Sequence, residues 1–169
     1  MNSISIRSSI VYSSIILNLL LVIGSNTMKK KHTPTQECPF CDYPSDKILF
    51  QTENVVVFND RTPKASVHYL ICPKEHIISI KTLTQKDIPV LVEMKQVADQ
   101  LIKEKFSGQE GIVLGFHSPP FYSVKHLHLH LLVPPFRPKF KKHSYTSHFG
   151  GIWFKDFSVV LNELYNSVV

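Results

Sequence analysis

The clearest pattern along the chain is a strict alternation of histidine and leucine from His126 to Leu131, followed by Leu132. Alternation with a period of two predicts a strand with one buried face, because successive side chains of a strand point to opposite sides. We expect the leucines to enter the core and the three imidazoles to point the same way, about 7 Å apart. Histidine is not a favoured strand residue, so three on one face indicate metal ligation or nucleophilic and acid–base catalysis.

The remaining pattern predicts more strands and two helices. Segments 47–52, 54–59, 67–72 and 112–116 have the composition of short strands. Capping-box spacing at residues 84–87 and a stripe of apolar residues predict a helix of about five turns that ends near Gly108. The stripe consists of Val90, Leu91, Met94, Val97, Ala98, Leu101 and Ile102. Apolar positions from Phe157 to Leu164 predict a short C-terminal helix. The fold class is therefore α+β with an antiparallel sheet.

The length and the N-terminal composition set the domain organisation. A chain of 169 residues is long enough for one domain with a hydrophobic core. We assign residues 1–27 to an apolar N-terminal segment, 28–37 to a basic linker and 38–169 to the domain. The apolar part, 10–23, is short for a membrane span, and a signal peptide, an anchor and an upstream extension before Met28 all remain open. Any membrane contact is expected through this part alone.

Charge and cysteine content narrow the function classes. The net charge is +6, but much of it comes from lysines 29–31 and the basic run 137–142. These runs are expected to be solvated, so no specific nucleic-acid partner is predicted, whereas pockets for anions are plausible. Three cysteines, with Cys72 inside an apolar strand, do not make a disulfide framework. We expect a reducing compartment, which is the cytoplasm or alternatively the nucleus. Secretion or membrane anchoring through the N-terminal apolar segment is the remaining alternative.

The motif and its flanking segments resemble a known family. Residues 126–132 fit the histidine-triad motif, His-φ-His-φ-His-φ-φ with φ apolar, at every position. Over residues 38–165 the chain is similar to the Hint nucleotide-binding branch of that superfamily, and in particular to its third subtype. The segments that carry the similarity are Cys38-Pro39-Phe40-Cys41, His68-Tyr69-Leu70-Ile71, Pro73-Lys74-Glu75-His76-Ile77, Gly115-Phe116-His117-Ser118-Pro119-Pro120-Phe121 and Trp153-Phe154.

The resemblance assigns roles to the histidines. It implies that His128 attacks the α-phosphorus of an adenosine monophosphate derivative and forms a nucleotidyl-histidine, which water then hydrolyses. A neutral imidazole is a competent nucleophile near pH 7, and covalent catalysis divides one displacement into two easier ones. The resemblance further implies that His130 helps to bind the phosphate and that His126 and His68 orient the nucleophile. Ser123 would form a hydrogen bond with the leaving group.

The resemblance also implies a substrate pocket and a partner. Asp60 would hold the ribose hydroxyls, and Arg61 and Phe58 would line the nucleoside pocket. Asp60 could instead simply begin a turn before Arg-Thr-Pro. The expected partners are a purine mononucleotide and a second copy of the chain, and no cofactor is implied.

Two features fit the resemblance less completely. Many Hint proteins carry a phosphate-contacting asparagine near position 115, where this chain has glycine, a departure that the third subtype shares. His117 is either an exposed loop residue or a substrate contact. The Cys38-x-x-Cys41 pair is half of a zinc site that some relatives complete with histidines. The site prediction includes no metal, and the remaining histidines are expected to face solvent: His76, His143 and His148.

The favoured function is hydrolysis of the P–N bond in adenosine 5'-monophosphoramidates, and also of acyl-adenylates. Three alternatives remain. The first is another histidine-triad activity. DNA deadenylation is disfavoured because no cysteine follows Cys72 to build an appended zinc finger. Hydrolysis of dinucleoside polyphosphates is disfavoured because those hydrolases favour glutamine where Ser123 stands. A non-catalytic nucleotide-binding or scaffold protein could retain the triad. A metalloenzyme could use His126 and His128 as a zinc pair, and chelators would then abolish its activity.

Overall fold

A computed structural model describes residues 38–147 and 151–167 of the chain. The predictions for the apolar segment, the basic linker and His148 lie outside the described residues. Six strands are described: β1 (Ile48–Gln51), β2 (Val55–Asn59), β3 (Ala65–Pro73), β4 (Val113–His117), β5 (Leu129–Phe136) and β6 (Phe154–Asp156). They form one antiparallel sheet in the order β1-β2-β3-β5-β4-β6.

Two α-helices accompany the sheet in the described ranges, α1 (Ile88–Lys105) and α2 (Phe157–Asn166). The predicted capping box is present, with the Asp87 carboxylate accepting hydrogen bonds from the backbone and hydroxyl of Thr84 at 2.7 and 2.9 Å. It caps a short 3-10 turn, so α1 begins at Ile88. Neither helix among the described residues has the length and apolar content needed to cross a membrane.

One face of the sheet is apolar, and the opposite face carries histidines. Alternate residues of β5, Leu129, Leu131 and Val133, pack with the buried stripe of α1 and with α2 in the main core. Each aliphatic side chain fully buried there contributes about 1.5–3 kcal/mol. His130 and Leu132 point to the opposite face. The alternation in the sequence therefore specifies which face is core and which carries chemistry.

The α+β fold and its antiparallel sheet confirm the prediction, and two local features differ from it. The regular strand β5 begins only at Leu129, because the first part of the motif makes an irregular contact in which the Leu127 amide donates to the Ile77 carbonyl at 2.6 Å. The short strand β6 was not predicted. Three residues are too few for a periodic signal, and β6 forms by pairing with β4.

Candidate active site

Six of the eight predicted site residues line one cavity of about 760 Å³ on the histidine face of the sheet: Phe58, Asp60, Arg61, Ser123, His128 and His130. A cavity of this size is in the range that holds a small ligand. The other two predicted residues are not part of its lining. His68 lies behind His130, and the imidazole of His126 is directed elsewhere.

The backbone fixes the orientation of His128, the predicted nucleophile. Its Nδ1 lies 2.5 Å from the carbonyl oxygen of His126. A carbonyl can only accept, so Nδ1 carries the proton and donates it. Nε2 is left with a lone pair. His128 is 9% exposed and lines the cavity, so this nitrogen is the group available for nucleophilic attack.

A chain of hydrogen bonds fixes the tautomer of His130. The backbone N–H of Lys64 donates to Nδ1 of His68 at 3.3 Å, so the proton of a neutral His68 is on Nε2. That Nε2 donates to Nδ1 of His130 at 2.8 Å. The proton of His130 is therefore on its own Nε2, which is buried without a hydrogen-bond partner in the described part of the chain. An unpartnered buried donor at the cavity suits an anionic ligand.

Burial keeps these histidines neutral. Desolvation lowers the pKa of His128, against the opposing effect of its bond to the His126 carbonyl. Burial likewise lowers the pKa of His68 to about 4, although the Asp60 carboxylate, 3.5 Å away, acts in the other direction. The pKa of His130 falls well below its usual range through burial and the neighbouring histidines. At neutral pH these three histidines therefore offer lone pairs and N–H donors rather than positive charge.

One side of the cavity is lined by aromatic rings and a carboxylate. Tyr43 stacks on Phe58 with ring centroids 3.8 Å apart. Phe40 packs against the same ring at 5.1 Å and against His128 at 5.3 Å. All three aromatic residues line the cavity, and a flat apolar wall of this kind suits a nucleobase. Sequence reasoning did not assign roles to Phe40 and Tyr43, although Phe40 stands in one of the segments that carry the resemblance.

Asp60 forms the predicted turn and also lines the cavity. One carboxylate oxygen accepts from the backbone N–H of Thr62 at 2.7 Å, which makes the turn. The other oxygen lies 3.5 Å from Nε2 of His68, and the residue lines the cavity beside Arg61. The turn therefore holds the carboxylate at the wall of the cavity, where it can accept hydrogen bonds from hydroxyl groups of a ligand.

The departure at position 115 has a steric cause. A Cβ atom at Gly115 would lie 2.4 Å from the Lys155 carbonyl oxygen and 2.5 Å from the Phe154 ring. Strand β6 thus occupies the space that an asparagine would need. His117, two residues later, is half-buried at the end of β4 and lines the cavity, so of the two alternatives for it the structure rules out the exposed loop residue. Its Nδ1 donates to the Trp153 carbonyl at 3.1 Å, and its ring lies 4.8 Å from that of His130.

A second cluster lies next to the cavity. The ring of His126 is fully buried, its Nε2 donates to the Pro73 carbonyl at 2.8 Å, and its Nδ1 lies 3.4 Å from the sulfur of Cys38 and 3.5 Å from that of Cys41. Nδ1 of His76 lies 3.3 Å from the Cys41 sulfur. His76 is half-buried in this cluster, so the expectation that it faces solvent is wrong, whereas His143 is exposed as expected.

The four donors of this cluster fit a metal ion. The two sulfurs and the two Nδ1 atoms lie within 4.8 Å of one another. Two thiolates and two imidazoles are a typical ligand set for tetrahedral zinc. The cysteine pair therefore does meet histidine partners, which the site prediction had not included. No group of three or more donors in the described residues contains both His126 and His128, which disfavours the zinc-pair alternative.

Comparisons with known proteins show which family the chain resembles in sequence and fold. Residues 37–146 match the family model described as scavenger mRNA decapping enzyme C-term binding. The chain is 35% identical over 114 residues to adenosine 5'-monophosphoramidase HINT3 of Xenopus tropicalis, covering 64% of this chain and 74% of the relative. It is 38% identical over 118 residues to the bifunctional adenosine 5'-phosphosulfate phosphorylase/adenylylsulfatase HINT4 of Arabidopsis thaliana, covering 66% and 80%. A crystal structure of a HIT family hydrolase from Legionella pneumophila superposes with a TM-score of 0.55 at 30% identity, covering 59% of this chain and 94% of that one.

Proposed function

The chain belongs to the histidine-triad superfamily of nucleotide hydrolases, in its Hint branch, and we propose that it cleaves the P–N bond of adenosine 5'-monophosphoramidates. The observation that carries the proposal is the pair of opposite tautomers in one cavity. His128 presents a lone pair on Nε2, and His130 presents a proton on Nε2. One nitrogen can attack phosphorus while the other donates to a phosphoryl oxygen.

In the first step, Nε2 of His128 attacks the α-phosphorus. The P–N bond to the histidine forms as the bond to the leaving amine breaks, and the imidazole becomes a cation. Its Nδ1–H remains bonded to the His126 carbonyl, which stabilises that positive charge. The Nε2–H of His130 donates to the phosphoryl oxygen, where negative charge accumulates in the transition state.

The leaving amine needs a proton, and Ser123 is placed to supply it. Ser123 is exposed and lines the cavity together with His128, so its hydroxyl can relay a proton from solvent to the departing nitrogen. In the second step, water attacks the phosphorus of the nucleotidyl-histidine. The phosphorus–nitrogen bond to His128 breaks with its electron pair returning to Nε2, the attacking water loses one proton to solvent, and adenosine monophosphate is released beside a neutral imidazole.

The nucleoside is held away from the bond that breaks. The Phe40, Phe58 and Tyr43 rings provide an apolar surface for the purine, and Asp60 accepts from the ribose hydroxyls. A zinc ion held by Cys38, Cys41, His76 and His126 would supply structural cross-linking beside the cavity. The expected homodimer and the cytoplasmic location remain predictions.

The test is hydrolysis of a fluorogenic adenosine phosphoramidate by the full chain and by His128→Ala, with His143→Ala as a matched control on an exposed histidine. We expect the control to retain activity and His128→Ala to lose at least about 10³-fold in kcat. Mass spectrometry of the quenched reaction should show an adenylylated chain only when His128 is present. Equal hydrolysis by both forms would disprove the nucleophile, and no hydrolysis by either would favour a non-catalytic nucleotide-binding protein.

A second candidate substrate is adenosine 5'-phosphosulfate, on which the Arabidopsis relative is named as acting. Sulfate is a stable anion and leaves without a proton, whereas an amine requires one. Ser123→Ala should therefore lower phosphoramidate hydrolysis and leave phosphosulfate cleavage nearly unchanged. The ratio of kcat/KM for the two substrates decides which leaving group the cavity favours.

A further inference from the structure

A tyrosine from outside the sheet lies among the histidines of the cavity. Tyr145 ends the short 3-10 helix Lys139–Tyr145 that follows β5, and it is 7% exposed. Its ring centroid lies 5.0 Å from that of His117, 5.5 Å from that of His130 and 5.6 Å from that of His68. One phenol ring thus packs against three imidazoles that come from three different strands.

The apolar part of the Tyr145 ring is buried, and its polar end faces the cavity. The ring belongs to a buried cluster with Leu132, Phe136 and Phe154. Of the buried members of this cluster in the described ranges, only Tyr145 also lines the cavity. A buried tyrosine normally turns its hydroxyl toward a polar partner or water, and here the cavity is the polar side of the ring.

The Tyr145 hydroxyl is a free donor at physiological pH. Burial raises the pKa of Tyr145 to about 12, and the Asp60 carboxylate at the cavity wall acts in the same direction. Because a Coulomb effect weakens with distance, the influence of Asp60 also indicates that the hydroxyl is on the cavity side. The hydroxyl forms no hydrogen bond with another residue in the described part of the chain, so its proton is available to a ligand.

The proposed reaction places negative charge on phosphoryl oxygens next to His130, and the sheet leaves room for a second donor there. The residue that pairs with His130 on β4 is Gly115, which has no side chain. The Phe154 ring occupies the space above Gly115, and its centroid lies 6.1 Å from that of His130 and 5.6 Å from that of Tyr145. An apolar ring therefore stands where a polar side chain of β4 could have reached the phosphate.

His117 does not provide this second donor at neutral pH. Its Nδ1 donates to the Trp153 carbonyl at 3.1 Å, so a neutral His117 has a lone pair on Nε2. Burial lowers the pKa of His117, which keeps the ring neutral. His68 donates its own proton to His130. Of the three histidine neighbours and the tyrosine in this group, Tyr145 is the one with an uncommitted donor.

We propose that the Tyr145 hydroxyl is a catalytic donor to the phosphoryl group and acts together with the Nε2–H of His130. Both hydrogen bonds go to phosphoryl oxygens, on which negative charge accumulates as His128 attacks. Tyr145 keeps its proton in both steps, so the proton balance of the reaction is unchanged. The effect on hydrolysis rests on the proposed function, whereas the contact with the phosphate of a bound nucleotide does not.

The experiment uses Tyr145→Phe in the full chain, which removes the hydroxyl and keeps the ring that packs against the histidines. Tyr165→Phe is the matched control, because Tyr165 is 51% exposed on α2. Calorimetry measures the Kd for adenosine monophosphate and for adenosine. Steady-state kinetics with the fluorogenic adenosine phosphoramidate measure kcat and KM, and urea unfolding checks that each variant is folded.

We expect Tyr145→Phe to raise the Kd for adenosine monophosphate by about 10- to 100-fold, the usual effect of losing one hydrogen bond to a charged group. The Kd for adenosine should stay within about twofold, because adenosine has no phosphate. The kcat should fall by at least about 10-fold, since the donor acts most strongly on the charge of the transition state. Tyr165→Phe should change none of these quantities.

If Tyr145→Phe does not fold, the ¹³C NMR signal of the Tyr145 Cζ atom in the wild-type chain replaces it. This signal should shift on addition of adenosine monophosphate and not on addition of adenosine. A shift with both ligands, or with neither, would contradict the phosphate contact.

Unchanged Kd and kcat in a folded Tyr145→Phe would overturn the proposal. An equal rise in Kd for adenosine monophosphate and adenosine would also overturn it, because the hydroxyl would then contact the nucleoside. A wild-type chain that hydrolyses no adenosine phosphoramidate, but whose Tyr145→Phe variant selectively loses affinity for adenosine monophosphate, would contradict the proposed function alone.

Discussion

Nε2 of His68 lies 2.8 Å from Nδ1 of His130, and this contact between β3 and β5 fixes which nitrogen of His130 carries the proton. The two residues are 62 positions apart in the sequence, and the backbone N–H of Lys64 sets the direction of the whole chain of bonds. A histidine outside the triad thus sets the tautomer of the donor that lines the cavity. The nucleophile is oriented separately, by a main-chain carbonyl.

The first prediction concerns the hydrogen bond from His68 to His130. His68→Phe removes the donor to His130 Nδ1, so His130 can adopt the other tautomer and lose its proton on the cavity side. We expect kcat for the phosphoramidate to fall by about 10- to 100-fold, the usual effect of removing an orienting partner. His68→Gln keeps an N–H at nearly the same place and should retain most of the activity. Equal activity of the Phe and Gln variants would show that the tautomer chain is unimportant.

The second prediction concerns the ribose. Asp60→Asn keeps an oxygen for the turn bond from Thr62 but removes the negative charge. Loss of a charge-assisted hydrogen bond of about 1.5–3 kcal/mol predicts a rise in KM of about 10-fold or more, with the free energy of unfolding little changed. Steady-state kinetics and urea unfolding measure the two effects. Glu53→Gln, on an exposed carboxylate in the β1–β2 turn, is the control. An unchanged KM in Asp60→Asn would remove the ribose role.

The third prediction concerns acid stability. Four histidines have a pKa below the unfolded value of about 6.5, chiefly through burial: His68, His117, His128 and His130. Between pH 6.5 and the folded pKa values, the unfolded chain binds more protons than the folded one, so the free energy of unfolding falls as the pH falls. For His68 this window extends to about pH 4.

Urea unfolding at several pH values between 7.5 and 4.5 should show stability that is nearly constant above pH 7 and decreases steadily below about 6.5. His68→Gln should flatten part of this slope, because it removes one of the groups that must be neutral when buried. A stability that stays constant or rises on acidification would contradict the assigned neutral states.

The fourth prediction concerns Gly115. Alanine there would place Cβ against the Lys155 carbonyl and the Phe154 ring, and backbone cannot move aside as a flexible side chain can. We expect a loss of about 1–3 kcal/mol in the free energy of unfolding, together with reduced activity, because Gly115 pairs with His130 in the sheet. Glu110→Ala, exposed in the preceding loop, should change neither quantity. A fully stable and active Gly115→Ala would show that β6 can shift freely.

Local patterns in the sequence determined much of the fold. The histidine–leucine alternation specified which face of β5 is core, and the apolar stripe specified the buried side of α1, because both depend on the geometry of a single element. The motif also pointed to His128 and, through the family resemblance, to five further residues that line the cavity. The predictions for β5 and α1 need only neighbouring residues in the chain, whereas the cavity residues came from the resemblance.

Only the tertiary structure decided how the histidines divide between two sites. His126 meets Cys38 across 88 positions, and His130 meets His68 across 62, so no local period carries either contact. The alternation alone placed His126 and His130 on one face with the nucleophile, and only the family resemblance gave them different roles, orientation for His126 and phosphate binding for His130. In the fold, one ring joins the cysteine cluster and the other joins the cavity. Side-chain direction and tautomer follow from the donors and acceptors that folding brings alongside each ring, and local spacing cannot supply those.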